Sequence, residues 1–321
     1  MKRVFLALKV IAIPVLYALF LRIIFDLKGW ERIFSVMTIS FLFLVPFVVG
    51  AVTIILSPKE KIKSDIYTLA MPWVPITVFF VITVAFGMEG MICWIMALPL
   101  FLFASSAGGF IARRFLKQKK NERIYTSFVL ILPLLISPIE HHIGAHKKTF
   151  KAYTSIDIHA DAATIWSQVT RVKAIPASAD KGWLTKFMGF PRPVEAVLNY
   201  EGVGGYRKAI FTNGLTFHET VTTYIHQQKM VFDIKAHPQD IPAATMDEHI
   251  IIGGQFFDVL NGTYELERIN GQTYRLHLYS HFTMNTTFNF YAGWWAKWIM
   301  KDIQNNILQV EKSRAENRGK I

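Results

Sequence analysis

This sequence of 321 residues is short of several things, and each shortage excludes something. It has one cysteine, Cys93, inside an apolar run. No disulfide can close within the chain, and cysteine usage does not name a redox compartment. No Asp, Glu or His lies deep in any long apolar run, which argues against a pump or transporter. A phosphate-binding glycine loop, a nucleophile motif and a convincing metal-ligand spacing are all missing. Acidic residues are outnumbered, 23 against 35 Lys and Arg, for a net charge of +12. In a soluble protein that excess would suggest nucleic acid. Here many of the basic residues sit in short loops between apolar runs, where they set topology and face anionic headgroups. Nucleic acid is therefore set aside as a partner.

What the chain has is a change of character near residue 150. Before it stand five apolar runs: Val4 to Phe25, Ile33 to Leu56, Tyr67 to Gly87, Met91 to Ile111 and Ile124 to Ile139. A bilayer core of about 30 Å needs about 20 such residues per helix, so about five spans are expected. The first follows Lys2 and Arg3 like a signal sequence but has no small-residue cleavage site, and reads as an uncleaved anchor. Lys9 and Arg22 near its ends are expected to snorkel to the interface. Basic clusters fall on alternate sides: Lys2 and Arg3; Lys59, Lys61 and Lys63; then Arg113, Arg114, Lys117, Lys119, Lys120 and Arg123. That places the N-terminus inside. If the fifth run crosses, the rest of the chain lies outside, in the periplasm of a Gram-negative cell. That run is short and holds Pro133 and Pro138, and if it turns back the rest is cytoplasmic.

Two clusters in this half invite attention. Ala104 to Gly109 is a small-residue patch suited to close helix contact, read as packing within the bundle, with oligomerisation as the alternative. Glu140, His141, His142 and His146 follow the fifth run. His142 and His146 have the i, i+4 spacing of metal ligands on a helix, but no further ligand supports a site. The plainer reading is a polar exit from the membrane.

From residue 150 onward apolar and polar residues alternate. Thr154 to His159 reads as a strand, and Asp161 caps a helix carrying Ile165, Trp166 and Val169. Asn213-Gly214 marks a hairpin between Tyr206 to Thr212 and Leu215 to His226. Leu215, Phe217, Glu219, Val221 and Ile225 share the apolar face, so Glu219 points inward. A two-residue turn sets it against Lys208; a three-residue bulged turn sets it against Arg207. Either register pairs the inward carboxylate with a cation. Met230 to Ala236 is a further strand, His237 to Asp247 a polar loop, and strands resume at His249 to Ile252 and Phe256 to Val259. At Asn270-Gly271 a bulged turn pairing Leu266 with Tyr274 and Tyr264 with Leu276 keeps apolar faces together. The chain closes in an amphipathic helix from about Phe290 to Ala315. Its stripe is Tyr291, Trp295, Ile299, Ile303, Ile307 and Val310, and its far end, with Glu311, Lys312 and Arg314, reads as charged.

The order strand, helix pair, antiparallel strands, long C-terminal helix, with the opening Ile156-Asp157-Ile158-His159-Ala160-Asp161, resembles the START-like superfamily (SRPBCC, Bet v 1-like, or polyketide cyclase/dehydrase and lipid-transport). The segment Asn213 to Val221 is similar to that family's hairpin with an acid after the turn. The resemblance covers residues 152 to 315 and none of the apolar half. It implies a helix-grip fold, a curved antiparallel sheet around the last helix enclosing an apolar cavity. The expected architecture is thus an all-α transmembrane domain over residues 1–145 and an α+β helix-grip domain over 150–318. The expected cavity residues are Trp166, Ile210, Phe217, Glu219, Val221, Leu276, Leu278, Phe282, Tyr291, Trp295 and Ile299. The resemblance carries no universal catalytic set.

Three functions follow from these features. The first is a membrane-tethered binder or carrier of a hydrophobic ligand, with lipid first in line, since each CH₂ kept from water is worth about 0.8 kcal/mol. The second is an enzyme on a hydrophobic substrate using Glu219 with Lys208 or Arg207; strand parity sends His218 outward, and His277 and His281 read as surface residues. The third is an assembly or sensor module with a membrane-protein partner or a second copy. No cofactor is expected. The chain is expected in a bacterial inner membrane, N-terminus cytoplasmic.

Overall fold

The computed structural model describes residues 2–27, 29–30, 33–117, 122–236 and 251–318. The chain divides into two compact units, Met1–Ala145 with Thr286–Phe288, and His146–Asn285 with Asn289–Ile321. The polar loop expected at His237 to Asp247, the first residues of the strand expected at His249, and Lys119 and Lys120 lie outside the described residues.

The first unit is helical: α1 (Lys2–Ile24), α2 (Val45–Leu56), α3 (Asp65–Ala70), α4 (Trp73–Ala85), α5 (Met91–Lys117) and α6 (Glu122–Ile143). Three stretches are long and apolar enough to cross a membrane: Ala7–Ile24, Asp65–Ala85 and Met91–Lys117. Ser40–Leu56 and Ser127–Ile143 are shorter apolar helices. Phe41, Phe79, Phe80 and Phe101 pack at the centre. There α2 and α5 cross with their backbones nearly touching: a Cβ on Gly50 would run into the carbonyl of Ser105, and one on Gly108 into that of Phe47. The small-residue patch at Ala104 to Gly109 thus packs against a glycine of α2, as small residues do in membrane bundles.

Two expectations need correction. Arg22 does not snorkel. It is 1% exposed, and its guanidinium bonds Glu89 at 2.7 Å, Asp26 at 2.8 Å and the Met88 carbonyl at 2.8 Å. Glu89, just before α5, supplies a fixed partner that water would otherwise replace. The second apolar run also turns helical late. Residues 33–38 form turns and bends, and a π-helical stretch, Ser40–Leu44, leads into α2. The cause is Glu140 of α6, a buried acid and not an exposed exit. It accepts the Ile39 N–H at 2.6 Å, the Ser40 N–H at 2.8 Å, the Ser40 hydroxyl at 2.6 Å and the Thr287 hydroxyl. A carboxylate there satisfies helix-start donors and complements the helix dipole.

The second unit is a seven-stranded sheet with one long helix. Its strands are β1 (Lys148–His159), β2 (Pro193–Leu198), β3 (Tyr206–Phe211), β4 (Thr216–Ile225), β5 (Lys229–Lys235), β6 (Phe257–Arg268) and β7 (Thr273–Met284). The order is β1-β7-β6-β5-β4-β3-β2, with every neighbour antiparallel. Helices α7 (Ala162–Thr170) and α8 (Trp183–Met188) sit between β1 and β2 in sequence, and α9 (Asn289–Arg318) closes the chain. The curved sheet wraps partly around α9, a helix-grip-like fold. Its core joins Ile158, Trp166, Val221, Tyr264, Leu276 and Leu308.

Both hairpins have physical lessons. At Asn213-Gly214 the chain turns through φ of 62° and 80°, and the turn Thr212–Gly214 is closed by the Phe211 N–H donating to the Leu215 carbonyl, a register that sets Arg207 opposite Glu219. At Asn270-Gly271 the pairing is Leu266 with Leu276 and Tyr264 with Leu278, not Tyr274 and Leu276. The turn takes in Gln272, so the register slides by two residues and every side chain keeps its face. A bulge between Val221 and Thr223 flips the end of β4, so Tyr224 packs on the core and Ile225 is exposed.

Candidate functional site

The inner face of the sheet holds a polar island where an apolar interior is the rule. Arg207 of β3 and Glu219 of β4 are cross-strand partners, both buried, joined by an ion pair from Nη1 to Oε2. The guanidinium carbon lies 5.3 Å from the ring centre of Phe232 on β5 and 6.0 Å from that of Tyr264 on β6. From the helix side comes Glu311 of α9, 1% exposed. One cation, two carboxyls and a phenol thus converge from three strands and one helix.

The ionisation of this island follows from burial. Burial works against the charge on Arg207, but Glu219, ion-paired with it, offsets that cost and the guanidinium stays charged. Burial pushes the Glu219 carboxyl up, and Arg207 pulls it back. Burial pushes Glu311 up to about 8, against the pull of Arg207, Tyr264 and Arg314. Burial, then Glu311, hold the Tyr264 phenol well above its usual range, so it keeps its proton. Glu219 takes up the one buried cation through its ion pair with Arg207, and Glu311, pushed up to about 8, keeps its proton near neutrality.

Hydrogen bonding in the island is incomplete. Arg207 Nε and the Glu311 carboxyl are buried with little hydrogen bonding, the Tyr264 hydroxyl being the group that bears on Glu311. Buried polar atoms are nearly always paired, so a cluster of sparsely bonded ones sets this island apart from the apolar core around it.

The expected cavity residues divide. Trp166, Val221, Leu276 and Leu278 belong to the contiguous core, and the Trp166 indole donates to the Tyr224 hydroxyl at 3.0 Å. Phe217 packs with Val310, Val172 and Ile175. Phe282, Trp295 and Ile299 are buried and Tyr291 half-buried at the other end of the interior, where Tyr291 and Trp295 are 6.5 Å apart, centre to centre. Ile210 is on the opposite face, across from Thr216, because the three-residue turn that brings Arg207 inward sends Ile210 and Lys208 outward. Lys208 is exposed and faces His218, away from Glu219. His277 meets Tyr153 at 2.7 Å and Glu267 at 3.1 Å, and His281 meets Asn261 at 2.8 Å. His142 and His146 are exposed, and among the described residues no group of three His, Cys, Asp or Glu is placed to hold a metal.

Glu311 is the residue that sequence reasoning misplaces. It stands four residues after Ile307 and eight after Ile303, on the apolar stripe itself, and that spacing was the available signal. Other polar residues of α9 are also buried. Asp302 accepts the Thr185 N–H and hydroxyl at 2.9 and 2.8 Å, and Gln304 bonds Ser280 at 3.1 Å. They are buried because α8 covers one side of the helix and the sheet the other.

No family model matches the chain, and no curated protein matches it. Among solved structures, truncated norcoclaurine synthase from Thalictrum flavum is similar at 10% identity, over 51% of this chain and 94% of that one, with a TM-score of 0.30. A START superfamily protein from Mycobacterium smegmatis is similar at 10% identity over 52% and 98%, TM-score 0.34. A di-domain ARO/CYC protein of the steffimycin biosynthetic pathway is similar at 10% identity over 62% and 61%, TM-score 0.35. Likenesses this weak carry no functional weight. The class assignment rests on sheet order and the gripped helix: a helix-grip-like domain joined to an apolar helical region.

The ionisation scheme has a pH signature. With a folded value of about 8 against an ordinary 4.5, Glu311 makes the folded state hold one proton more than the unfolded state between those values. Its contribution to stability is full below about pH 4.5 and is lost as pH rises through 8. Between pH 6 and 9 the wild type should lose about 3 kcal/mol that Glu311→Gln does not lose. Thermal unfolding of both proteins across that range checks it, and parallel pH profiles would contradict it.

Proposed function

We propose that the chain is a membrane-attached binder or carrier of a hydrophobic ligand, lipid being the favoured class, held within the grip of the C-terminal sheet. The observation that carries this reading is the polar island. An interior built only to be stable gains little from a sparsely bonded cluster of Arg207, Glu219 and Glu311, whereas a ligand with an apolar body and one polar group would pair with it. A neutral Glu311 donates to such a group, and the pair of Arg207 and Glu219 fixes where it sits. Mass spectrometry of the detergent-purified full chain under native conditions is expected to show a bound lipid that survives detergent exchange and is lost in Glu311→Leu. Lipid that merely coats the apolar helices would not respond to that substitution. A bare protein, or binding indifferent to residue 311, would contradict the proposal.

A second reading has one observation in its favour. A buried carboxyl pushed up to about 8 is poised for proton transfer near neutral pH. In that reading Glu311, with Glu219 and Arg207 as its electrostatic setting, acts on the bound ligand, and Glu311→Gln retains the ligand while removing turnover.

The proposed setting is a bacterial inner membrane with the N-terminus in the cytoplasm and the C-terminal domain on the outer side. The alternating basic clusters support it, and it turns on whether α6, whose apolar part is the shorter stretch Ser127–Ile143, crosses. A C-terminal phosphatase reporter, active only outside the cytoplasm, is expected to be active. An inactive phosphatase fusion with an active cytoplasmic reporter would reverse the assignment.

A further inference from the structure

The C-terminal unit carries a connected aromatic surface that the polar island does not use. On α8, Trp183 and Phe187 lie one helical turn apart and are 61% and 69% exposed. On α9, Trp294 is 54% exposed and meets Trp298 in a tilted contact at 5.2 Å between ring centres; Trp298 in turn meets Trp183 at 5.7 Å. Leu184 and Met188 take the inner side of α8, and the bonds from Thr185 to buried Asp302 fasten it to α9. The exposed rings are thus held outward by a fixed frame. Lys186, Lys297 and Lys301 stand exposed on the same two helices. Neither α8 nor the first three turns of α9 carries an acidic residue before buried Asp302.

The position of this surface within the unit identifies its partner. Asn289, the first residue of α9, donates through Nδ2 to the carbonyl of His146 at 2.5 Å. His146 is where the chain comes into this unit, three residues after the apolar helix Ser127–Ile143 ends. Trp294 follows Asn289 by five residues, about 7.5 Å along the helix. The aromatic surface therefore lies at the end of the unit where the chain enters it, three residues after an apolar helix in sequence.

We propose that the Trp183, Phe187, Trp294 and Trp298 surface, with Lys186, Lys297 and Lys301, docks on the headgroup region of an anionic bilayer. Trp and Phe rings favour that boundary, and each lysine near an anionic surface adds attraction. This docking is independent of any ligand in the grip.

The test uses the full chain carrying Cys93→Ser, reconstituted in vesicles of phosphatidylcholine alone or mixed with phosphatidylglycerol. A polarity-sensitive probe is attached through Phe187→Cys, or through Ile269→Cys as a control. Ile269 is at the β6–β7 turn, the opposite end of the strands from Met284, roughly 40 Å away for a twelve-residue strand. At 187 the emission is expected to shift to the blue and to be quenched by lipids with a doxyl-labelled chain, more strongly with phosphatidylglycerol; at 269 neither is expected. Lys297→Glu and Lys301→Glu should reduce the docked population in the anionic vesicles, by roughly fivefold for each lysine lost. Equal responses at 187 and 269, or a probe at 187 fully open to aqueous iodide in both vesicles, would overturn the proposal. Shielding at 187 that ignores the doxyl lipid and grows with protein density would assign the surface to a second copy and overturn it as well.

Discussion

Arg207 carries a charge that cannot be neutralised, and it does so inside the sheet. A guanidinium in that position would be prohibitive unless its surroundings were built to hold it. Glu219 faces it from the next strand, the rings of Phe232 and Tyr264 lie alongside, and α9 brings Glu311 to the same place. Those groups come from β3, β4, β5, β6 and α9. The pairing of the strands and the position of the helix along the sheet are both tied to this one cation. Shifting β3 by one residue would put Lys208 inward and leave Glu219 facing a different partner. The second carboxyl then follows from charge balance. One cation supports one carboxylate, so the other acid in the interior holds its proton. That neutral acid, and the sparsely bonded atoms around it, are what separate this interior from a plain hydrophobic core.

The helical unit solves its own buried charges by the same logic. Arg22 is met by Glu89 and Asp26, and Glu140 is met by the free N–H groups at the start of the second apolar helix. In each case at least one partner is distant in sequence, and the match fixes how the elements pack. Between these polar contacts the helices approach through Gly50 and Gly108, where only the lack of a side chain permits the distance. None of these buried charges forms a chain of ionisable groups across the unit. Among the described residues they read as structural clamps.

Much of the C-terminal fold is legible in the residues because a strand with one buried face obeys a strict period of two. That period puts Glu219 inward and requires a cation opposite it. It leaves the turn open, and the turn decides between Lys208 and Arg207. Choosing the wrong turn also misplaces Ile210, since one residue of slip exchanges the two faces. The second hairpin is more forgiving: a slip of two residues changes the pairs and preserves the faces. Glu311 is hidden for a different reason. Charge at the end of a helix ordinarily means solvent, and only its spacing from Ile303 and Ile307 says otherwise. Arg22 and Glu140 are hidden because their partners lie 67 and 100 residues away, and local pattern carries no information about contacts of that range. The fifth apolar run shows the limit of counting hydrophobic residues, since α6 continues as a helix through both of its prolines.

The central claim is that the grip holds a neutral carboxyl beside a paired arginine and glutamate. Infrared difference spectroscopy, with glutamate labelled in the carboxyl carbon and Glu311→Gln as the reference, reads that proton directly. The account calls for a protonated Glu311 carbonyl band at neutral pH, persisting until the pH approaches about 8. A Glu311 already ionised well below neutrality would contradict it, and would leave two carboxylates on the one buried guanidinium of Arg207.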